Sequence, residues 1–233
     1  MALSTEMRPP QEVTIRSGHI RLGGQLGVPP SPLGVVVFAH GSGSGRFSPR
    51  NNFVASRLQQ GRVATLLLDL LTSDEAEDRR KVFDIDLLAD RILSAKAWLG
   101  QDDRTKGLGI GYFGASTGAG AALQAAARDP SSIRAIVSRG GRPDLAEPYL
   151  LSVTAPTLLI VGGNDEPVIE MSRTAYRLLS CSKRLVIVPG ASHLFEEPGT
   201  LEEVAEYALN WFQQHFDPAQ NRDTSAEIKE RLR

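Results

Sequence analysis

The pentapeptide GASTG at residues 114–118 has the residue types and spacing of a catalytic serine turn. It lies between an apolar run, 108–113, and an alanine-rich run, 119–127. A Gly-x-Ser-x-Gly sequence between a strand and a helix is typical of a nucleophile elbow, which holds the serine hydroxyl above the carboxyl end of a sheet. The pattern predicts Ser116 as a nucleophile. The alternative is an ordinary glycine-rich turn between a strand and a helix.

A serine hydroxyl is a weak nucleophile at neutral pH and needs a general base. In elbow-type sites the order along the chain is serine, acid, histidine. His193 is the one histidine that both follows the elbow and lies on a loop after a predicted strand. The other three suit other roles, because His19 lies in the first hairpin, His40 precedes the elbow and His215 ends the last helix. We therefore predict His193 as the base, with a structural histidine as the alternative.

The acid is expected between the serine and the histidine, directly after a strand. Asp165 meets both conditions in the segment TLLIVGGNDEPV, and its carboxylate would accept a hydrogen bond from one ring nitrogen of His193. Two alternatives stay open. Glu166 is adjacent but begins the next predicted helix, where acids are common for their own reasons, and Asp144 follows the strand at 133–138.

An oxyanion needs two backbone N–H groups. One is expected from Thr117, directly after the serine, and the other from the glycine-rich loop at residues 40–45. We predict Ser42 as the second donor, with Gly41 next, because glycines let a backbone turn toward a ligand. A flexible turn is the alternative. The loop lacks the ending of a phosphate-binding P-loop and the glycine spacing of a dinucleotide site.

Three arginines follow predicted strands at the same edge, and each could contact an anionic part of a substrate. Arg46 lies in the glycine-rich loop, and Arg139 and Arg142 lie in SRGGRPD. We predict them, together with Gly41, as candidate substrate-binding residues. Solvated loop arginines are the alternative.

Composition excludes several classes of function. The 233 residues carry a formal net charge of −1, which gives no attraction for nucleic acid or an anionic membrane. The chain has one cysteine, Cys181, so we expect a reducing, cytoplasmic location. We see no signal peptide, no apolar stretch long enough to span a membrane, and no Cys/His spacing typical of a metal site.

The elements that must position these residues alternate along the chain. Strands are predicted at 13–15, 19–28, 34–39, 63–68, 108–113, 133–138, 157–161 and 184–188. Helices are predicted at 51–60, 84–99, 119–128, 166–179 and 201–216. This order predicts a mostly parallel sheet covered by helices on both faces, with catalytic groups at the carboxyl ends of the strands. The charged segment 71–81 is predicted as solvated surface.

We expect one domain over residues 1–216 and a polar tail over 217–233. About 17 residues, 139–155, separate the sixth strand from the seventh. That is too few for a helical cap domain. An open site without a large cap is therefore predicted, and it suits short, soluble esters better than long-chain lipids.

With these pieces placed, the chain resembles the α/β-hydrolase superfamily, and within it the dienelactone-hydrolase-like branch. Four segments carry the resemblance: FAHGSGSGRFSPRN at 38–51, GYFGASTGAG at 111–120, VGGNDEPV at 161–168 and PGASHLFEEPG at 189–199. Similar sequences also occur joined to a phosphoribosyltransferase-like domain.

The resemblance implies an α/β-hydrolase fold with Ser116 as nucleophile, Asp165 as acid and His193 as base. A serine esterase mechanism on these residues needs no cofactor. Dienelactone hydrolases use a cysteine nucleophile, whereas this elbow carries serine, which favours a carboxylesterase acting on small esters. Alternatives are hydrolysis of thioesters, amides or peptides, and a non-catalytic binding protein on the same scaffold. The oligomeric state stays open, with a dimer among the options.

Overall fold

The computed structural model describes residues 9–216, and the tail predicted at 217–233 lies outside them. Eight strands form one sheet in the order β1-β2-β4-β3-β5-β6-β7-β8. Both β1–β2 and β2–β4 pair antiparallel, and the other strands pair parallel. The strands are β1 (Gln11–Ser17), β2 (Ile20–Gly27), β3 (Gly34–Ala39), β4 (Val63–Leu68), β5 (Gly109–Ala115), β6 (Ile133–Arg139), β7 (Thr157–Gly162) and β8 (Lys183–Val188).

Helices cover both faces of the sheet, which confirms the predicted mostly parallel α/β architecture. The helices are α1 (Pro49–Gln60), α2 (Ser73–Glu77), α3 (Arg79–Val82), α4 (Ile85–Leu99), α5 (Thr117–Arg128), α6 (Glu166–Leu178) and α7 (Thr200–Phe216). Among the described residues, no helix has the length and apolar character that crossing a bilayer requires.

Side chains alternate across the sheet and separate two cores. In β3, Val35 and Val37 join the core under α4, α5 and α6, whereas Val36 and Phe38 join the core under α1 and α7. Every residue of β3 is buried, as expected for a parallel strand with helices on both faces. This double burial fixes β3 and its neighbour β5 at the centre, so their carboxyl ends are rigid positions.

The charged segment 71–81 was predicted as solvated surface, and none of its residues is buried. It also contains most of two short helices, which the sequence did not predict. Thr72 caps α2 in a capping box with Glu75, and Glu75 also pairs with Arg91 of α4 at 3.1 Å. A local cap and one nearly buried ion pair thus hold this segment against the domain. Periodicity could not show it, because each helix is shorter than two turns.

The connection between β6 and β7 contains only a 3-10 helical segment, Pro143–Ser152. Within residues 9–216 there is accordingly no large cap over the carboxyl edge of the sheet, as predicted. The edge where parallel strands end is left open above β3, β5 and β6.

The turn from β5 into α5 packs backbone against backbone. A Cβ on Gly118 would lie 2.5 Å from the carbonyl oxygen of His40, and a Cβ on Gly114 would lie 2.7 Å from the amide nitrogen of Ala119. Real Cβ atoms essentially never come so close to other atoms. The end of β3 can therefore touch the start of α5 only if position 118 has no side chain.

We predict that Gly118→Ala destabilises the fold by about 3 kcal/mol, because the added methyl meets backbone that cannot move aside. Gly100→Ala is the matched control, since its Cβ would lie 3.5 Å from the carbonyl oxygen of Ala97 and its φ of −68° suits alanine. The control should lie within about 1 kcal/mol of wild type. Urea denaturation measures both, and equal midpoints for the two variants would contradict the packing argument.

Candidate active site

Ser116 occupies the strained centre of the turn. It precedes α5 with φ 50° and ψ −124°, a region that non-glycine residues seldom adopt. Its carbonyl oxygen accepts from the N–H groups of Ala119 and Arg142, each at 3.0 Å, and its own N–H donates to the carbonyl of Arg139 at 3.4 Å. The surrounding backbone holds the strained turn in place, so the direction of the Ser116 side chain is set by the fold.

His193 and Asp165 are brought together by the loops after β8 and β7. Nδ1 of His193 lies 2.6 Å from Oδ2 of Asp165. A carboxylate can only accept, so Nδ1 carries the proton and Nε2 of the neutral ring is left as an acceptor. The Asp165 side chain is 13% exposed and the His193 side chain 39% exposed. The carboxylate is therefore shielded, whereas the imidazole is partly exposed to solvent.

Asp165 stands at the N-cap of α6 but makes no side-chain cap there. Aspartate at this position ordinarily accepts from the first amides of its helix, whereas this carboxylate faces His193 instead. Asn164 ties the two loops together, since its N–H donates to Ala191 and its Nδ2 donates to Gly190, both at 2.9 Å. Of the alternative acids, Asp144 accepts both hydrogen bonds of a bidentate pair with Arg142, at 2.9 and 2.7 Å.

The histidine loop has a second support in Glu197. Its Oε2 accepts from the N–H of Ser192 at 2.9 Å, and this backbone hydrogen bond lowers the pKa of the Glu197 carboxyl. On the other side, a Cβ on Gly140 would lie 3.0 Å from the His193 carbonyl oxygen. Since Gly140 follows Arg139, whose carbonyl accepts from the Ser116 amide, the loop after β6 contacts both the serine turn and the histidine loop. The hydrogen bonds of residues 9–216 include none directly between Ser116 and His193.

The glycine-rich loop lies against the serine. A Cβ on Gly41 would be 2.8 Å from Cβ of Ser116. The N–H groups of Ser42 and Thr117 donate to no atom of the described residues, so both are free for a ligand. The loop and the first turn of α5 thus present two unused backbone donors on either side of the serine.

Both ends of this loop are fixed by the residues that follow β4. The N–H of Leu70 donates to Nε2 of His40, and Nδ1 of His40 donates to the carbonyl of Gly41, both at 2.9 Å. At the far end, Oδ1 of Asp69 accepts from the Arg46 N–H at 2.7 Å, and Oδ2 pairs with the Arg46 guanidinium. We call these four residues, His40, Arg46, Asp69 and Leu70, the loop clamp.

Burial also fixes the chemical state of His40. It lowers the pKa of His40 below the ordinary 6.5, although the bond to Gly41 and the charge of Asp69 act in the opposite direction. His40 therefore stays neutral, with Nε2 as the acceptor that Leu70 requires.

The three arginines predicted as substrate contacts occupy different surroundings. Arg46 belongs to the loop clamp and also pairs with Glu12 at 3.2 Å, and Arg142 pairs with Asp144. Both charges are thus matched by carboxylates of the protein. Arg139 differs, because it is only 8% exposed, its Nη2 donates to Asn51 at 3.4 Å, and its Nε and Nη1 meet no acceptor among the described residues.

The supports of this arrangement that sequence reasoning missed include Asp69, Asn164, Glu197 and Gly140. Asp69 follows a buried strand, and that position was itself a usable signal. Glu197 and Gly140 gave no signal, because their contacts depend on how the loops after β6 and β8 meet. No group of three or more His, Cys, Asp or Glu side chains within residues 9–216 is arranged to hold a metal ion.

Similarity to known proteins identifies the family of this chain. A family model described as PET hydrolase-like matches residues 85–226. A dienelactone hydrolase from Anabaena variabilis is 55% identical, with a TM-score of 0.85, and the match covers 89% of this chain and 99% of that one. The chain is a dienelactone-hydrolase-like member of the α/β-hydrolase superfamily. Est1E from Butyrivibrio proteoclasticus has the same fold at 19% identity, with a TM-score of 0.76 over 88% of the hydrolase and 98% of Est1E.

Two curated proteins from Mycobacterium tuberculosis strains are each 53% identical to the hydrolase over 218 residues. Both carry the provisional name phosphoribosyl transferase. The match covers 92% of this chain and 49% of each relative, so the chain spans about half the length of the curated relatives it matches.

We predict that the hydrolase loses stability on acidification in part through His40. Its unfolded pKa is near 6.5 and its folded pKa is lower, so below pH 6.5 the unfolded chain binds the proton first. The free energy of unfolding should fall by up to about 1.4 kcal/mol per pH unit in that range. His40→Gln, which keeps an acceptor for Leu70 and does not titrate, should show a shallower fall in urea denaturation at pH 5, 6 and 7.

His215→Gln tests the same effect at a second position, because burial lowers the pKa of His215 as well. Each single variant should remove part of the acid sensitivity. A His40→Gln protein with the full wild-type slope would contradict the assignment.

We also predict that Arg139→Met stabilises the hydrolase. Burial, with the charge of Arg50 second, lowers the pKa of Arg139 to about 10, so the charged form destabilises the fold at every pH below that value. Removing the charge should raise the free energy of unfolding at pH 7.5 by about 1–3 kcal/mol. Arg142→Met is the control, and it should lose up to about 1 kcal/mol, because hydrogen bonds to Asp144 raise the pKa of Arg142. Destabilisation by Arg139→Met would contradict this account.

Proposed function

We propose that this hydrolase is a serine carboxylesterase that acts on small esters through an acyl-enzyme intermediate. Ser116 is the nucleophile, His193 the general base and Asp165 the acid that orients it. The observation that carries the proposal is the Nδ1–Oδ2 contact of 2.6 Å between His193 and Asp165, made by an aspartate that does not cap its own helix. That contact fixes the tautomer in which Nε2 can take a proton.

In the first half-reaction, Oγ of Ser116 attacks the ester carbonyl and its proton passes to Nε2 of His193. The carbonyl oxygen becomes an oxyanion held by the N–H groups of Ser42 and Thr117. His193 then gives the proton to the leaving alkoxide, the C–O bond breaks, and the alcohol departs. The acyl group stays on Ser116.

In the second half-reaction, water attacks the acyl-enzyme while His193 takes one of its protons. The same two amides hold the second oxyanion, and the proton returns to Oγ of Ser116 as the carboxylic acid leaves. Ser116 and His193 need not be hydrogen-bonded before substrate arrives, since catalytic hydrogen bonds often tighten only in the complex.

The three arginines predicted as substrate contacts have different roles in this proposal. Arg46 and Arg142 have carboxylate partners, so we give them structural roles in the loop clamp and beside Asp144. A direct contact with an anionic substituent is kept as a hypothesis for Arg139 alone. Gly41 contributes by its close approach to Ser116.

The transferase name of the mycobacterial relatives describes proteins about twice as long as the matched region. We infer that this name concerns the half that the present chain does not cover, since a dienelactone hydrolase matches almost end to end at 55% identity. A cytoplasmic location stays a prediction that rests on the one cysteine, Cys181.

Two alternatives share the same residues. Hydrolysis of thioesters, amides or peptides would use the same steps with another leaving group, and aryl ester, thioester and anilide substrates of one acyl group separate them by kcat/KM. A non-catalytic binding protein predicts no turnover with any of these substrates.

We predict that Asp165→Asn lowers kcat for p-nitrophenyl acetate by about a thousandfold or more, because the amide no longer holds the Nδ1–H tautomer. Ser116→Ala should abolish turnover to a similar extent. Asp144→Asn is the matched control, as it changes the alternative acid in the same way and should keep turnover within about tenfold. Turnover retained by Ser116→Ala would contradict the assignment. So would a loss of turnover in Asp144→Asn together with unchanged turnover in Asp165→Asn.

A further inference from the structure

A cavity of about 300 Å³ lies directly beside the glycine-rich loop. One wall is the loop backbone, residues 40–44. The opposite wall is apolar and comes from the end of β4, the two short helices and α4. The side chains that form it are Leu70, Leu71, Ala76, Val82 and Leu88.

The sheet order decides which part of a substrate this cavity can receive. Ser116 follows β5, and His193 lies toward β6, β7 and β8, against Gly140. The leaving oxygen must reach the base that protonates it, so the alcohol side of an ester faces His193. The acyl side is then left to extend on the side of the serine away from His193, toward Gly41, which contacts Ser116 and also lines the cavity.

The cavity has one carboxylate, Asp69, and its charge is matched by the Arg46 guanidinium and N–H. The only other ionisable side chain in the lining is His40, whose pKa is held low by burial. The lining is therefore electrically neutral and mostly apolar. A neutral hydrocarbon group is stabilised there, whereas a free carboxylate on the acyl chain meets Asp69 without a spare cation.

The wall that limits the cavity is fixed in position. Thr72 and Glu75 cap α2, and Glu75 is held by Arg91 of α4. Ala76 and Val82 project from these short helices into the lining. A volume of about 300 Å³ is at the lower end for small-molecule sites. At about 30 Å³ for a water-sized group, complete filling would take at most about ten such groups. A chain of roughly six carbons lies well within that limit, whereas a ten-carbon chain reaches it.

We propose that this cavity is the acyl-binding pocket and selects neutral, unbranched acyl groups of about six carbons, with Ala76 and Val82 as the residues that set the length. This inference rests on the proposed esterase function and deepens it. The segment that sequence analysis treated as solvated surface is then part of the substrate site.

The test uses p-nitrophenyl acetate, butyrate, hexanoate and decanoate, which share one leaving group. We expect kcat/KM to rise several-fold per added pair of methylenes up to hexanoate and to fall at decanoate. Val82→Phe should lower the hexanoate-to-acetate ratio of kcat/KM at least tenfold, because the ring fills the end of the pocket. Ala76→Phe is a second variant with the same expected direction.

Thr174→Phe is the matched control. Thr174 lines a separate cavity of about 270 Å³ between α6 and the 3-10 segment. The same added bulk there should leave the ratio at its wild-type value. The ratio is measured within one preparation, so a partly unfolded variant does not alter it.

A second series varies the alcohol and keeps acetate as the acyl group. If Val82→Phe changes the preference among alcohols and leaves the acyl ratio unchanged, the pocket receives the leaving group and the proposal is overturned. An unchanged ratio in both phenylalanine variants also overturns it. If the wild-type protein has no turnover, or if Ser116→Ala retains turnover, the esterase proposal itself fails. Either result differs from the unchanged acyl ratio that would overturn only the pocket proposal.

Discussion

The site depends on one close approach, between the carboxyl end of β3 and the turn that carries Ser116. Gly118 meets the carbonyl oxygen of His40, and Gly41 meets Cβ of Ser116, at distances that leave no space for another side chain. Because β3 and β5 are buried on both faces, the end of β3 and the turn after β5 cannot separate without opening the core. The strained φ of Ser116 is held by this contact and by the loop that follows β6.

Two groups of supporting contacts lie on either side of that close approach. On the β6–β8 side, loop-to-loop hydrogen bonds bring Asp165 to His193, and Glu197 supports the histidine loop. On the β3–β4 side, the loop clamp fixes the backbone that offers the Ser42 amide, and the two short helices enclose the adjacent cavity. In the proposed function, proton transfer and acyl recognition therefore lie on opposite sides of Ser116.

The sequence predicted the parts of this arrangement that follow from local pattern. Buried β-branched runs indicated the parallel strands, and the strand-turn-helix context of residues 114–118 indicated the serine turn. The pairing of Asp165 with His193 was predicted from the order along the chain together with the position of each residue after a predicted strand. The partners of Arg46 and Arg139 could not be predicted in this way, because they come from distant segments. Asp69 was missed, although its position directly after a buried strand was a usable signal. The short helices α2 and α3 were not predicted, because they are too short to show a helical hydrophobic pattern. A cap and one ion pair hold this segment in place.

The central claim is that the fold activates one serine among several near the same edge. Treatment with a fluorophosphonate, followed by peptide mass spectrometry, tests this most directly, since Ser42 and Ser44 lie in the adjacent loop. The account predicts one adduct per chain, on the peptide that contains Ser116, and strongly slowed labelling in His193→Ala. An adduct on Ser42 or Ser44, or no adduct on folded wild-type protein, would contradict it.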